Sequence, residues 1–271
     1  MTLRHFTLEA GLQPYIRSFS ILEEPQAVFN KRVILPDSYP VLFVSCGAPF
    51  VVEQADGAQI ELPRVFLVRA QTQPLRIKAT GSCHAIGVNL ESWGTRFLVD
   101  EQVDLTTSPI VPLDGAWSDL RRVLQRTLNQ RGDREALAVL EQFISDLHRS
   151  MHPDVLAVRA AVEMLYASRG GQSVKNLAAD CYLSPSQLER QFNYFTGLTP
   201  KIIARLIRFD AACAKLLNEP SSRLTDMAQR LGYVDQAHFV HEFKAFAACT
   251  PRQAREYIRW LAADAEFLQY S

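Results

Sequence analysis

SVKNLAADCYLSPSQLERQFNYFTGLTP at residues 173–200 and LTDMAQRLGYVDQAHFVHEFKAFAACTP at residues 224–251 are one helical pattern written twice. Leu188, Phe192, Phe195 and Pro200 map onto Phe239, Phe243, Phe246 and Pro251 with a shift of 51, but Leu177-Ala178 maps onto Met227-Ala228 with a shift of 50. The second copy therefore carries one extra residue in its turn, near Gly232-Tyr233. In each copy apolar residues recur at i, i+4 and i+7 on the second helix, giving one buried face and one free face. A short helix, a tight turn and such an amphipathic helix are the sequence form of a helix-turn-helix. Local signals fix the ends. Ser173 caps a helix from Val174 to Asp180, Ser184-Pro185 supplies an N-cap and an N1 proline, and Gln187 closes a capping box. Gly197 stops that helix, and Asp235 caps its counterpart in the second copy.

Thr199-Pro200 opens a helix that runs to Asn218 before Glu219-Pro220 breaks it. At ~1.5 Å per residue it spans roughly 28 Å, close to the ~34 Å between successive major-groove faces of a duplex. A spacer of this length suits two reading helices entering neighbouring grooves.

These residues, together with Arg190, Arg208-Phe209, Ala212, Leu216-Leu217, Gly232-Tyr233 and Phe243-Lys244, resemble the DNA-binding domain of the AraC/XylS family of bacterial transcription regulators. The resemblance covers Asp154 to Ile258. It implies a seven-helix, double helix-turn-helix unit that binds asymmetric promoter sites, and activation is the commoner role in that family. Ala237, His241 and Ala248 stand where the second motif of the family usually has Ser, Arg and Gly, and Asn193 where a Lys often follows the phenylalanine.

Direct readout needs polar side chains near the N-terminus of each reading helix. The outward sets are Ser186, Gln187, Glu189, Arg190 and Asn193 in the first motif and Gln236, His238, His241 and Lys244 in the second. Arg190 suits either a guanine edge or a phosphate, and Glu189 a cytosine amino group. Gln236 and His238 are placed for base edges, His241 and Lys244 for the backbone. His238, His241 and Glu242 also form a potential metal cluster, but the order HFVHE matches neither zincin motif, and no metal or cofactor is expected.

Net charge over the whole chain is zero. Residues 1–153 hold 15 basic and 17 acidic side chains, and residues 154–259 hold 14 basic and 10 acidic, so the helical region is net +4. Arg190, Lys201, Arg205, Arg208 and Lys244 are the expected phosphate attractors; the same residues also fit a solvated helix face.

From Leu8 to Val111 the texture changes to short stretches rich in Val, Ile and Phe: Ala27–Leu35, Tyr39–Ser45, Phe50–Glu53, Gln59–Leu62, Arg64–Ala70, Leu75–Ala79 and His84–Leu90, parted by Gly, Pro and Asp. They read as a β-sandwich or barrel. This agrees with the cupin-like jelly roll that the family resemblance implies for an N-terminal sensor domain. A metal-dependent cupin needs two or three histidines, and this region offers His5 and His84, so an enzyme is not expected. Five scattered cysteines (46, 83, 181, 213 and 249) lack zinc or disulfide spacing; they read as reduced, buried small hydrophobes, with redox sensing at Cys46 or Cys83 as the alternative. Trp117, Leu120, Val123, Leu124 and Leu128, then Leu137, Leu140, Phe143, Ile144 and Leu147, predict an antiparallel helical hairpin. Its apolar stripes close the back of the barrel or pair with a second chain.

The expected architecture is α+β: a cupin-like β-barrel or jelly roll at 1–115, a helical hairpin and linker at 116–150, an all-α double helix-turn-helix at 154–258 and a tail at 259–271. The start of the chain has no long apolar run, so neither a signal nor a membrane anchor is read there and a cytoplasmic location follows. The expected function is a sequence-specific DNA-binding transcription regulator acting on double-stranded promoter DNA. It is expected to work as a homodimer, with a small-molecule effector in the N-terminal domain and RNA polymerase as a further partner. A protein-interaction adaptor with a degenerate DNA-binding unit, or a cupin-type enzyme, is the competing reading.

Overall fold

The computed structural model of the chain describes residues 2–6, 12, 14–24, 32–54, 56–147, 152–219 and 221–255. The expected tail at 259–271, the linker residues 148–151 and residues 27–31 of the first expected strand lie outside these.

Described strands are β1 (Thr2–Phe6), β2 (Ile16–Glu24), β3 (Arg32–Ile34), β4 (Val41–Ser45), β5 (Phe50–Glu53), β6 (Gln59–Glu61), β7 (Val65–Val68), β8 (Leu75–Ala79), β9 (Cys83–Leu90) and β10 (Ile110–Pro112), with a short helix α1 (Thr95–Leu98) after β9. They pair antiparallel in two sheets, β1-β2-β9-β4-β7-β10 and β3-β8-β5-β6. β1, β2 and β10 extend the strand set beyond the stretches read from composition.

Period-two alternation explains the layering. Leu42 and Val44 of β4, Val65 and Leu67 of β7, and Ile86, Val88 and Leu90 of β9 point to one face of the six-stranded sheet. Phe66 and Val68, Cys83 and Ala85 point to the other, where they meet Phe50, Ile77 and Ala79 of the four-stranded sheet. The first face is covered by α2 (Ala116–Gln130) and α3 (Asp133–Asp146), through Trp117, Leu120, Leu124, Leu137, Leu140 and Ile144. The apolar stripes of this hairpin are thus spent inside the chain. Because the six-stranded sheet is apolar on both faces, its central strands read as unbroken apolar runs.

The helical half consists of α4 (Val155–Ala167), α5 (Val174–Asp180), α6 (Pro185–Thr196), α7 (Pro200–Asn218), α8 (Leu224–Arg230) and α9 (Gln236–Ala247). Its core contains Leu165, Leu188, Phe192, Phe209, Phe239 and Phe243, and three residues of the N-terminal half, Leu35, Ala70 and Trp93, join it.

Candidate nucleic-acid interface

Each reading helix starts where its cap dictates. Ser184 Oγ accepts from Gln187 N (3.3 Å) while Gln187 Oε1 accepts from Ser184 N (2.9 Å), closing the box at the head of α6. Asp235 Oδ1 accepts from His238 N (2.7 Å) at the head of α9. Ser173 caps α5 and Thr199 caps α7 in the same way. Residues 181–184 connect α5 to α6, and residues 231–235 connect α8 to α9, which is the one-residue excess that the offset between the copies demands.

Both copies need the backbone to turn left-handed twice, once between the helices and once after the reading helix. In the first copy these positions are Tyr182 (φ 57°) and Gly197 (φ 73°); in the second they are Gly232 (φ 75°) and Ala248 (φ 55°). Glycine takes this conformation without strain, whereas a Cβ costs about 1–2 kcal/mol. Each copy thus has one relaxed and one strained bend, in opposite order.

Phe192 and Phe195, and Phe239, Phe243 and Phe246, are buried. Ser186, Gln187, Glu189 and Arg190 are exposed on α6, with Asn193 partly buried, and Gln236, His238, His241 and Lys244 are exposed on α9. Two of these already have work to do. Gln187 spends its amide oxygen on the cap, and His238 accepts from Val234 N through Nδ1 (3.4 Å) while its ring packs edge-on against Tyr233. Two large side chains outside the outward sets are exposed in the turns: Tyr182 is 96% exposed and Val234 86%.

The helix-turn-helix domain family matches residues 177–257, from within α5 through both reading helices and the helix between them. The RCS-specific HTH-type transcriptional activator RclR of Escherichia coli is 26% identical over 129 residues, 48% of this chain and 44% of the relative. The chain carries an AraC/XylS-type helix-turn-helix domain. The chain spans less than half the length of that curated relative. Among solved structures, ToxT from Vibrio cholerae shares the fold with TM-score 0.51 at 11% identity, over 89% of this chain and 97% of that one. An unsaturated fatty acid-bound form of ToxT gives 0.50 at 12% identity, over 92% and 97%.

Not every basic residue of the AraC/XylS-type domain is available to phosphate. Arg205, expected as an attractor, instead grips Glu242 with two bonds, Nε to Oε2 at 2.7 Å and Nη2 to Oε1 at 3.1 Å, joining α7 to α9. Its guanidinium also lies 4.9 Å from the Phe246 ring centroid. Burial pushes the Glu242 carboxyl up, but the Arg205 bonds and charge, with His238 and Arg208, outweigh it and hold the group below its ordinary value. Arg208 is likewise half-buried and lies over Tyr233 at 5.7 Å, whose phenol burial drives up to about 12. Arg190, Lys201 and Lys244 remain exposed. Glu242, turned inward to Arg205, is also withdrawn from the histidine cluster; among the described residues no three metal-ligating side chains gather. At the far end of α7, Glu219 collects Lys215, Ser222 and Arg230, tying the spacer to α8.

The N-terminal half touches the trailing ends of both reading helices. Arg96 Nε donates to Tyr194 O (2.8 Å) near the end of α6, and Gln73 Nε2 donates to Ala245 O (3.3 Å) near the end of α9. Gly197 is pressed so close to Leu105 that a Cβ there would come within 2.2 Å of the Leu105 carbonyl oxygen. Between the halves lies a cleft of about 440 Å³ lined by the rings of Tyr15, Trp93, Phe97, Tyr194 and Phe195 together with Arg96 and His152. Cys46 and Cys83 are buried, and burial drives the Cys46 thiol up to about 11, so Cys46 presents little thiolate for redox chemistry. Among the described residues no helix is long and apolar enough to cross a membrane.

Proposed function

We propose that this protein is a cytoplasmic, sequence-specific DNA-binding transcription regulator, whose residues 154–258 read promoter DNA while residues 1–115 sense a small molecule. The observation that carries this reading is the duplicated, capped motif that buries its aromatic face and leaves a polar face free on each reading helix. Ser186, Glu189, Arg190 and Asn193 on α6, and Gln236 and His238 on α9, contact base edges; His241 and Lys244 hold the backbone, and Gln187 contributes its amide nitrogen. The fold likeness to ToxT, one structure of which holds an unsaturated fatty acid, supports an effector role for the N-terminal half. The ring-lined cleft is the place where one small molecule would touch both halves at once. Because the apolar stripes of α2 and α3 are spent on the sheet, a homodimer would form through the outer faces of that hairpin, where Val123 is exposed.

Selection of bound sequences from a random duplex pool, with the full-length protein at physiological salt, tests the proposal. Recovery of a site with two reading positions one helical turn apart is expected, and its repetition would report the dimer. Failure to enrich any sequence, with and without fatty acid present, would overturn the reading.

A further inference from the structure

Asp210 lies within α7, the spacer between the two motifs, and faces the N-terminal half. Its Oδ2 accepts from Ser38 Oγ at 3.5 Å. Its Oδ1 is sealed from solvent with no donor in reach among the described residues, and the Asp37 carboxyl is near enough to act on its charge. Asp37 is itself buried in the loop before β4, where its Oδ1 accepts from Tyr39 N at 3.1 Å. A buried carboxylate oxygen without a donor is costly, and two carboxylates in one buried site cannot both stay ionised. One proton placed between them removes both costs.

We propose that Asp37 and Asp210 share a single proton across the boundary between the two halves, and that this proton makes the contact between sensor and DNA-binding unit pH-dependent. Among the described residues the groups that face the pair are Arg17 from β2, Ser38 and Tyr39 from the loop, Tyr166 from α4, and Glu91 beyond Tyr39, and Asp37 has a further partner besides these. Burial, then the Asp37 charge, push Asp210 well above the ordinary carboxylate range, and Ser38 and Arg17 only partly offset them. Arg17 lies over the Tyr39 ring, 3.6 Å from its centroid, which gives it an aromatic partner as well as the acids. Tyr166 is raised by burial and by the charges of Tyr39 and Asp210; it stays a phenol, hydrogen-bonded to Ser38 and stacked on Tyr39.

The sign follows from where the proton is held. The closed contact keeps a proton that an exposed aspartate would release near pH 3.9. Closure is therefore fully supported below that value and weakens as pH rises toward the raised value of the pair, about tenfold per pH unit for one proton. The proton-linked contact stands on the interface alone; its consequence for promoter binding rests on the proposed function.

Hydrogen exchange in the free full-length protein between pH 5 and 8 tests it, read as protection factors for segments 35–41, 162–168 and 206–214. Protection in these segments is expected to fall with rising pH, by at most about tenfold per unit for one proton, and to be flat in Asp210→Asn, whose amide supplies the missing donor without titrating. Asp37→Asn removes the like charge and moves the fall to lower pH, which keeps the test open if Asp210→Asn does not fold. Flat protection in the natural sequence, or the same slope in the natural sequence and both variants, would overturn the proposal. Because no DNA is present, its failure is separate from failure of the DNA-binding reading.

Discussion

Arg205→Ala separates a phosphate contact from a structural strut. In the structure the guanidinium is 29% exposed and the Glu242 carboxyl 15%, joined by two bonds of 2.7 and 3.1 Å. Removing Arg205 strands a mostly buried carboxylate. Breaking a fully buried pair costs about 3–5 kcal/mol; with 29% of the arginine side chain in water, screening reduces this to about 2 kcal/mol. For a chain of this length melting as one unit that is a fall in melting temperature of roughly 4 °C. Glu242→Gln should cost less, and the double variant should show a coupling of about 1 kcal/mol or more in a double-mutant cycle. The second arm is DNA affinity against salt. A phosphate contact contributes about one unit to the slope of log K on log[salt], so an Arg205 that serves as a strut leaves that slope unchanged when removed. Unaltered stability together with a slope reduced by about one would refute the reasoning and return Arg205 to the phosphate set. The pair also has an acid signature: Glu242 sits below its ordinary value, so its contribution is present above about pH 4.3 and is lost as pH falls through the depressed value.

Three further outcomes are expected. Arg190→Ala should leave thermal stability unchanged and lower affinity for the selected site, while Lys244→Ala should weaken all sequences alike and reduce the salt slope by about one; competition binding at several salt concentrations distinguishes them. Ala248→Gly should stabilise by up to about 1 kcal/mol, because strain at a left-handed residue outweighs the extra freedom that glycine gives the unfolded chain, and calorimetry against Gly197→Ala, which should destabilise strongly, checks both signs. Cys46, buried with its thiol raised to about 11, should alkylate far more slowly at pH 7.5 than an exposed cysteine, as followed by mass spectrometry with iodoacetamide.

The features written in short stretches of sequence were legible and the rest were not. The caps at Ser173, Ser184, Thr199 and Asp235, the span of α7 and the extra residue before Asp235 are all local, so residue type and spacing suffice to place them. β2 escaped because its central residues are buried in a row, which removes the alternation that marks a half-exposed strand. The outward set was legible from helical periodicity, but the prior commitments of Gln187 and His238 depend on side-chain rotamers. The tie of Arg205 to Glu242 is not legible because its partner lies 37 residues away on another helix, and Asp37 meets Asp210 only once both halves have folded. No spacing rule reports such a meeting.

Leu35, Ala70 and Trp93 belong by sequence to the β-rich half and by packing to the helical one. The boundary is therefore a core divided between two segments of chain, not two finished surfaces laid together. Heating should melt the protein in a single cooperative transition, since neither half can unfold without exposing apolar surface that the other had covered. Exchange of sensor halves between related regulators would have to carry those three side chains along, or leave the helical half with an unfilled wall.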